Sequence, residues 1–333
     1  MYELEELDRK KSIIKVIGIG GGGGNTIKYM IKSKVINELK NEIEYLFLNT
    51  KKKAFNNDLP YNSLQLGIDI TKGIGTGGDQ EKGRLAALEQ KENIKNIIGK
   101  TDMLFITTGL GGGTGTGAIP VIAEIAKKMG ILTIAVVTKP FTFEGQKRMQ
   151  IAEKGIYSLK QHVDSLIVIP NDKLSSTLGK NTSLLNAFDK VNNVLLNAVD
   201  GISELIIKPG FINIDFADVK SVMSNQGIAV IGMGQAGGDN RAKTAFERAI
   251  YSPLLENVKI SGANGVLVNI SCGSDLSIFE FNEIGELVKN LSSKEANVIV
   301  GTVLDETMKG EMRITIVAAG LSDKKNIIHL VTN

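Results

Sequence analysis

The chain has 333 residues, of which 42% are hydrophobic and 23% charged, a composition typical of a soluble protein with two domains. Its net charge of +3 is too small to predict a nucleic-acid or membrane partner. No run reaches the roughly 18 apolar residues of a membrane helix, and the acidic start MYELEELDRKKS is unlike a signal peptide. One cysteine excludes an intrachain disulfide and fits a reducing cytosol, and two distant histidines argue against a zinc site.

Strands and helices alternate over residues 13–171. The predicted strands are IIKVIGIG, EYLFLNT, DMLFITTG, LTIAVVTKP and DSLIVIPN, and the helical patterns lie near 25–34, 79–98, 116–129 and 144–162. Apolar strands that alternate with helices predict an α/β domain of Rossmann-like class, with a parallel sheet covered on both faces. Ligands of such sheets bind at the carboxyl ends of the strands.

One long helix follows, over SLLNAFDKVNNVLLNAVDGISELIIK, and Lys208-Pro209-Gly210 ends it. The later elements are DFADVKSVMS, GIAVIGMG, RAKTAFERAIYS, GVLVNIS, FEFNEIGELVKNLS, NVIVGTVLD and MRITIVAAG. Their order predicts a smaller α+β domain with a mixed sheet. Cys272, at the end of GVLVNIS, is interpreted as a small core residue, with a reactive thiol as the alternative. The predicted segments are 1–182, the central helix 183–208, 209–322 and a short tail, 323–333.

Three glycine-rich loops punctuate the first half: IGGGGGN after the first strand, GIGTGG at 73–78, and GLGGGTGTG from Gly109 to Gly117. Ordering glycine costs more backbone entropy than ordering any other residue, so such runs need a physical reason. Several of them at one sheet edge predict a phosphate site, because each backbone N–H donated to a phosphate is worth about 1.5–3 kcal/mol. The helix that follows GGGTGTG adds its positive N-terminus. A flexible linker is the alternative, and it fits badly with such apolar flanks.

The motifs also restrict the class of nucleotide-binding protein. A P-loop is excluded, because G-x-x-x-x-G-K-[ST] does not occur. The first loop fits G-x-G-x-x-G, but the same pattern recurs from Gly232 to Gly237, so the match is weak by itself. The second strand ends in NTKKK, without the acidic residue that NAD requires, which leaves NADP open. An NADP fold needs only one glycine-rich turn, whereas this chain has several.

The loop GGGTGTG resembles the signature of the tubulin and FtsZ superfamily. The stretches VIGIGGGGGN, TKPFTFEGQKR, IPNDKL and NIDFADVKSVM resemble FtsZ, the bacterial division GTPases, and the similarity covers about residues 13–320. The resemblance implies the tubulin/FtsZ fold and hydrolysis of GTP to GDP, with Mg²⁺ bound mainly through the nucleotide phosphates and no metal held by the protein itself. It also implies a cytoplasmic protein that assembles with itself, head to tail, into filaments at the mid-cell division ring.

The resemblance further assigns a GTP site made of phosphate loops, a ribose pair (Glu144 and Arg148) and a guanine pocket. The implied residues are Gly20, Gly21, Gly22, Gly23, Gly24, Asn25, Gly111, Gly112, Gly113, Thr114, Gly115, Thr116, Gly117, Glu144, Arg148, Asn171, Phe188 and Asn192. Phe188 and Asn192 share one face of the long helix, where Phe188 can stack on a base or simply pack in the core. The amide of Asn192 has an acceptor and a donor end and can flip to suit adenine, so guanine is implied by the family alone.

Asn213, Asp215 and Asp218 are the catalytic residues that the resemblance implies. Asp215 and Asp218 lie three apart at a helix start, so they point the same way; without the resemblance they would be interpreted as acids that the helix dipole favours. In FtsZ proteins this loop completes the nucleotide site of the next subunit. The implied hydrolysis therefore requires a filament.

Some features depart from the FtsZ pattern. Lys51 stands where the family usually has Asp, and GIGTGGDQEKG, which contains Gly78-Asp79-Gln80, lacks the usual Asn-Pro. The ending GLSDKKNIIHLVTN does not resemble the peptide that recruits membrane anchors, so division-ring adaptors are candidate partners without their usual docking peptide. These departures keep open a second function, a nucleotide-binding structural filament or scaffold with little catalysis. An NADP-dependent reductase is the third.

Overall fold

The computed structural model describes residues 12–34, 42–55, 60–175, 178–179, 181–255, 258 and 260–321. The start of the chain and the tail predicted over 323–333 lie outside these residues. The strands are β1 (Ile14–Ile19), β2 (Ile43–Asn49), β3 (Asn62–Gln65), β4 (Met103–Gly109), β5 (Leu132–Lys139), β6 (Ser165–Pro170), β7 (Gly227–Gly237), β8 (Gly265–Cys272), β9 (Asn297–Leu304) and β10 (Glu311–Ala319). The helices are α1 (Gly20–Lys34), α2 (Ile68–Thr71), α3 (Gln80–Glu89), α4 (Lys91–Ile98), α5 (Thr114–Lys128), α6 (Gln146–Leu159), α7 (Asn171–Ser175), α8 (Leu184–Ile207), α9 (Phe216–Met223), α10 (Arg241–Ile250) and α11 (Ile278–Leu291).

The strands form one 10-stranded sheet in the order β3-β2-β1-β4-β5-β6-β7-β10-β8-β9. Neighbouring strands from β3 to β7 are parallel, β10 is antiparallel to both β7 and β8, and β9 is parallel to β8. The predicted parallel sheet and the predicted mixed sheet are thus both confirmed. The two parts form one continuous sheet, because β6 is hydrogen-bonded to β7: Ser165 is paired with Gly227, and Ile167 is paired with Ala229. The sequence pattern did not predict this junction.

Strands β1, β4, β5, β6 and β8 are buried on both faces along almost their whole length, which explains their nearly continuous apolar runs. In β1, Ile17 and Ile19 belong to a core that includes residues of α3 to α6, α10 and α11. Ile14 and Val16 point the other way, into a core built with α1, α8 and α9. Because successive side chains of a strand point to opposite faces, each strand contributes to two hydrophobic layers, one on each side of the sheet.

The long helix α8 lies across the second face of the sheet. Ser183 caps it by accepting a hydrogen bond from the backbone N–H of Asn186 at 3.2 Å, and it ends at Ile207, just before Lys208-Pro209. Its 24 residues correspond to a length of about 36 Å. The bounds agree with the predicted helix to within one residue at each end.

Three features differ from the sequence prediction or extend it. Helix α1 begins at Gly20, inside the glycine run, rather than near residue 25, and the single helix expected over 79–98 is divided into α3 and α4 at Gln90. The short edge strand β3 was not predicted. Within the described part of the chain, no helix is both long and apolar enough to cross a membrane.

The second G-x-G-x-x-G match lies inside β7 and serves packing. A Cβ added to Gly232 would overlap the carbonyl oxygen of Ala249, and one added to Gly234 would overlap that of Ala245. Both carbonyls belong to α10, so these glycines let the helix approach the strand closely. The match therefore gives no support to a second nucleotide loop.

Candidate nucleotide-binding site

The carboxyl ends of β1, β2, β4, β5 and β6 meet at one edge of the sheet, because these strands are parallel. The loops after β1 and β4 lie side by side there. Thr108 donates its hydroxyl hydrogen to the carbonyl oxygen of Ile19 at 2.8 Å and ties the two strand ends together. Two glycine runs that are distant in sequence thereby become neighbours.

The glycines of the first run, Gly20 to Gly24, have two different roles: some make close packing possible, and others leave an open face. A Cβ at Gly21 would meet no atom within 4 Å, so its face is open. A Cβ at Gly22 would lie 2.9 Å from the backbone nitrogen of Gly109, and one at Gly24 would overlap the ring of Phe47. Glycine is therefore required for packing at Gly24 and for contact between the loops at Gly22. At Gly21 the protein itself does not require it.

The second run leads into α5. Gly113 is the N-cap residue and has no side chain, so it provides no capping oxygen for the first N–H groups of the helix. A Cβ there would overlap the Thr76 hydroxyl, whereas one at Gly112 would meet nothing within 4 Å. Uncapped N–H groups at the positive end of a 15-residue helix make a ready site for an anion.

The third loop, residues 73–78, reaches the same helix end. The Thr114 hydroxyl lies 2.7 Å from that of Thr50 and 3.4 Å from that of Thr76, so three loops converge on one group of hydroxyls. Gly77 and Gly78 have φ of +62° and +86°, a left-handed conformation that glycine adopts without strain, and a Cβ on either would meet nothing within 4 Å. These glycines line the opening beside the threonines.

Together these loops enclose a cavity of about 670 Å³. The described residues that line it are Ile19, Gly20, Gly21, Gly22, Asn25, Thr26, Asn49, Lys51, Ala54, Thr76, Gly77, Gly78, Thr108, Gly109, Leu110, Gly112, Gly113, Thr114, Gly115, Thr138, Pro140, Glu144, Arg148, Asn171, Phe188, Val191, Asn192 and Leu195. One end is rich in backbone N–H and hydroxyl groups, and the other is flanked by Phe188 and the amides. The volume falls in the range typical of small-molecule sites.

The charged side chains among these lining residues are Lys51, Glu144 and Arg148. Arg148 Nη1 donates to Glu144 Oε2 at 2.5 Å, and Glu144 Oε1 accepts from the backbone N–H of Phe141 at 3.0 Å. Glu144 thus holds the guanidinium in place at the cavity wall. Lys51 adds a further positive charge, which favours an anionic ligand.

The aromatic end of the cavity is built on α8. The ring of Phe188 packs edge-on against Phe141, with centroids 5.4 Å apart and an interplanar angle of 84°. The side chain remains 38% exposed, so it both packs against the protein and presents a surface to the cavity. Both interpretations of Phe188 from the sequence, stacking and core packing, are compatible with this position.

Asn171 begins α7 at the carboxyl end of β6 and is 4% exposed. Its Oδ1 is buried, and no hydrogen-bond donor to it lies among the described residues. Buried amide oxygens are nearly always paired in native proteins, because an unpaired one costs about 1–3 kcal/mol. A donor group on a bound nucleotide would satisfy this oxygen.

Some of the residues predicted to bind GTP lie behind the cavity wall: Gly23, Gly24, Gly111, Thr116 and Gly117. The Thr116 hydroxyl accepts from the backbone N–H of Gly111 at 3.0 Å, which shapes the loop. A Cβ at Gly117 would overlap the carbonyl oxygen of Gln80 in α3. These residues position the loop rather than line the space. The remaining predicted GTP residues all line it.

Asn213, Asp215 and Asp218 are exposed and lie outside the cavity. Asp215 caps α9 by accepting from the N–H of Asp218 at 2.9 Å, and the Asp218 side chain accepts in return from the N–H of Asp215 at 3.3 Å. The interpretation of both acids as helix N-terminal residues therefore holds structurally. Asn213 accepts from the N–H of Gly210 at 2.8 Å.

The distance between these acids and the cavity follows from α8. Leu195 is the last residue of α8 that lines the cavity, whereas the acids follow the end of the helix at Ile207. The 12 residues between these positions span about 18 Å at 1.5 Å per residue. The cavity of one chain therefore lies beside the first half of α8, and its acids follow the other end of the helix.

Several residues of the cavity were not singled out from the sequence, among them Thr26, Asn49, Thr108 and Thr138. Asn49, Thr108 and Thr138 lie at or next to the carboxyl ends of their strands, which is a signal that strand prediction carries. Thr26 has no such signal, because its place depends on how α1 packs against α8.

Residues 13–179 match the family model described as the tubulin/FtsZ family GTPase domain, and residues 227–322 match the FtsZ family C-terminal domain. The cell division protein FtsZ of Coxiella burnetii is 54% identical over 321 residues, which are 96% of this chain and 82% of that protein. The chain belongs to the FtsZ family.

Other relatives agree with this membership. The cell division protein FtsZ of Buchnera aphidicola subsp. Baizongia pistaciae is 52% identical over 329 residues, 99% of this chain and 84% of its own. The structure of an empty FtsZ dimer from M. jannaschii has a TM-score of 0.87 at 43% identity and covers 96% of this chain and 91% of that one. CetZ2 from Haloferax volcanii, with a TM-score of 0.79 at 19% identity, shares the fold. This FtsZ-family chain therefore carries a GTPase domain, and a reductase function is set aside.

Proposed function

We propose that this FtsZ-family chain binds and hydrolyses GTP, assembles head to tail with copies of itself, and forms filaments of the division ring at mid-cell. The observation that carries the proposal is the separation of two parts of one site. A glycine-lined cavity lies at one end of α8, and exposed acids follow its other end. A head-to-tail contact between copies brings unlike surfaces together, and it can place the acids of one chain at the cavity of the next.

The triphosphate would lie against the glycine loops and the N-terminus of α5. The open faces of Gly21 and Gly112 leave room for phosphate oxygens to approach backbone N–H groups directly. Each such bond is charge-assisted and is worth about 1.5–3 kcal/mol. Arg148, held by Glu144, would neutralise charge near the ribose, and Lys51, which also lines the cavity, would add a second positive charge.

The base would occupy the opposite end, on Phe188, between the amides of Asn171 and Asn192. Base stacking on an aromatic ring is worth about 1–3 kcal/mol. The Oδ1 of Asn171, which has no donor among the described residues, supports a ligand with hydrogen-bond donors. With the proposed division of the chain at 182, 208 and 322, the residues that line the cavity belong to the first domain and the central helix.

Mg²⁺ would accompany the nucleotide and be bound mainly through its phosphates. Among the described residues, no group of three or more His, Cys, Asp or Glu side chains is placed to hold a metal. The one carboxylate among the residues that line the cavity, Glu144, already pairs with Arg148. When bound, the ion would neutralise charge on the phosphates, and the protein would contribute neutral oxygens such as the Thr114 hydroxyl.

Hydrolysis would be completed by Asn213, Asp215 and Asp218 of the neighbouring copy. Carboxylates accept hydrogen bonds, so they can orient a water molecule toward the terminal phosphate and take its proton. Their mutual capping bonds at the start of α9 hold them in fixed positions. In dilute solution a chain would bind GTP but lack the second half of the site.

A filament or scaffold with little catalysis is the second candidate, and Lys51 favours it. Lys51 lines the cavity at a position where FtsZ proteins usually have an acidic residue. A fixed positive charge beside the phosphates stabilises bound GTP, which can slow turnover while assembly persists.

The experiment measures phosphate release and light scattering together, as protein concentration is raised with GTP and then with ATP. We expect GTP-dependent scattering above a threshold concentration and phosphate release that begins at the same threshold. Scattering without phosphate release would support the scaffold instead. Phosphate release proportional to protein concentration from the lowest concentrations would contradict the shared site, and equal responses to ATP would contradict guanine selectivity.

A further inference from the structure

A threonine beside the base end of the cavity decides which end of the Asn192 amide faces the ligand. Thr26, on α1, is 2% exposed, and its hydroxyl oxygen lies 3.0 Å from Oδ1 of the Asn192 side-chain amide. The same hydroxyl oxygen lies 3.1 Å from the carbonyl oxygen of Gly22, one helical turn earlier. Thr26 thus contacts two groups: the carbonyl oxygen of Gly22, which can only accept a hydrogen bond, and the amide of Asn192, whose oxygen and nitrogen can exchange places.

A hydroxyl has one hydrogen and can donate it only once. The carbonyl of Gly22 can only accept, and a threonine within a helix commonly donates to the carbonyl four residues earlier. If the hydrogen goes to Gly22, the group of Asn192 that faces Thr26 must be a donor. With the amide nitrogen toward Thr26, both contacts are hydrogen bonds; with the oxygen toward it, only one of them is.

The oxygen and nitrogen ends of an asparagine amide have nearly the same shape, so the hydrogen-bond network assigns them. Because Thr26 is buried, water is not at hand to supply a missing donor or to absorb a second lone pair. In the structure Asn192 Oδ1 faces Thr26, and exchanging the amide oxygen and nitrogen satisfies both contacts of the hydroxyl. We infer that Thr26 fixes the Asn192 amide with its nitrogen toward α1 and its oxygen toward the cavity, and that it thereby makes this asparagine selective for guanine.

The consequence for the base follows from its hydrogen-bonding edge. Guanine presents N1–H and an exocyclic amine as donors, and the oxygen of Asn192 accepts from them. Adenine presents the lone pair of its N1 at the same place, so two acceptors would face each other without a hydrogen. The inference rests on the proposed function, since it concerns the same nucleotide site, and it explains how an asparagine can discriminate as an aspartate would.

The test compares dissociation constants for GDP and ADP by calorimetry, since diphosphates avoid hydrolysis during the measurement. Thr26→Val keeps the shape of the side chain and removes the hydroxyl, whereas Thr26→Ser keeps the hydroxyl. We expect the preference for GDP to fall about tenfold in Thr26→Val, the factor that one hydrogen bond of about 1.4 kcal/mol represents, and to be retained in Thr26→Ser. Thr26→Ala provides a second hydroxyl-free variant, and thermal denaturation checks that each variant folds.

A second background separates the orientation effect from a simple change in packing. In Asn192→Asp both ends of the side chain accept hydrogen bonds, so no orientation remains to be fixed. We expect Thr26→Val to leave the GDP-to-ADP ratio unchanged in that background. An equal loss of selectivity in both backgrounds would overturn the inference.

The failure of the inference and that of the proposed function are distinguishable. A wild-type protein that prefers GDP, with the same preference in both hydroxyl-free variants, would overturn the role of Thr26 alone. A wild-type protein that binds ADP as tightly as GDP would overturn guanine selectivity itself, and the inference with it.

Discussion

Replacing Gly21 by alanine tests whether the open glycine faces the nucleotide. The added Cβ would have no atom within 4 Å, and the position lies in the first turn of α1, so nothing in the fold opposes it. Alanine is more favourable than glycine in a helix by about 0.5–1 kcal/mol, and we expect the ligand-free protein to be unchanged or slightly stabilised. The same methyl group would occupy the space through which a phosphate reaches the backbone.

Loss of one charge-assisted bond of about 1.5–3 kcal/mol predicts GDP affinity lowered about 10- to 150-fold. Calorimetric titration with GDP measures this affinity, and thermal denaturation without nucleotide measures the stability. Gly24→Ala is the matched control, because its Cβ would overlap the Phe47 ring. It should cost about 1–3 kcal/mol of folding free energy and leave the affinity of the folded protein nearly unaltered. Wild-type GDP affinity in Gly21→Ala would refute the placement of phosphate at this loop.

Three further predictions concern the C-terminal part of the chain. Arg241 is buried and donates to Glu280 at 2.6 Å and to Asp275 at 2.7 Å. Because both carboxylates retain access to solvent, Arg241→Met should cost about 1.5–3 kcal/mol in urea unfolding, the value of hydrogen bonds to charged groups, and a cost below about 0.5 kcal/mol would contradict this. The hydrogen bond from Arg241 lowers the pKa of Glu280 below its ordinary value. The stability that this bond contributes is therefore present above about pH 4.5 and is lost as pH falls through the lowered pKa. The loss of stability with falling pH should be shallower in Arg241→Met. Burial raises the pKa of the Cys272 thiol to about 11, so iodoacetamide should label it only after unfolding, and rapid labelling of the native protein would contradict its interpretation as a core residue.

Local patterns in the sequence were enough to predict most of the elements. The strands around β1, β4 and β5 are apolar runs of ordinary strand length, and α8 has an uninterrupted helical repeat between Ser183 and Pro209. The start of α1 could not be predicted, because five glycines have low helix propensity. Close packing against β4 and the Phe47 ring fixes their conformation instead. The pairing of β6 with β7 likewise depends on contacts far apart in sequence.

The candidate site was predictable where its residues follow strand ends or stand in recognisable loops. Glycine is required in such loops for two different reasons, however, and the sequence does not show which reason applies at a given position. Gly21 and Gly112 face open space, whereas Gly24 and Gly117 make room for a ring and a helix. Only the packed structure distinguishes these cases, and it likewise brings Thr26 to Asn192 across helices that no local pattern relates.

The most direct measurement of the shared site mixes two variants that are each inactive alone. Asp218→Asn keeps the shape of the acid and binds GTP in its own cavity, but it supplies no complete acidic pair to a neighbour. Gly21→Leu keeps the acids and adds a side chain at a residue that lines the cavity, where a Cβ would meet no atom within 4 Å. Phosphate release should return when the two are mixed, to about one quarter of the wild-type rate at equal amounts if the chains pair at random, because only one of the four head-to-tail pairings is complete. A mixture that assembles and yet releases no more phosphate than its separate components would contradict hydrolysis across the contact between chains.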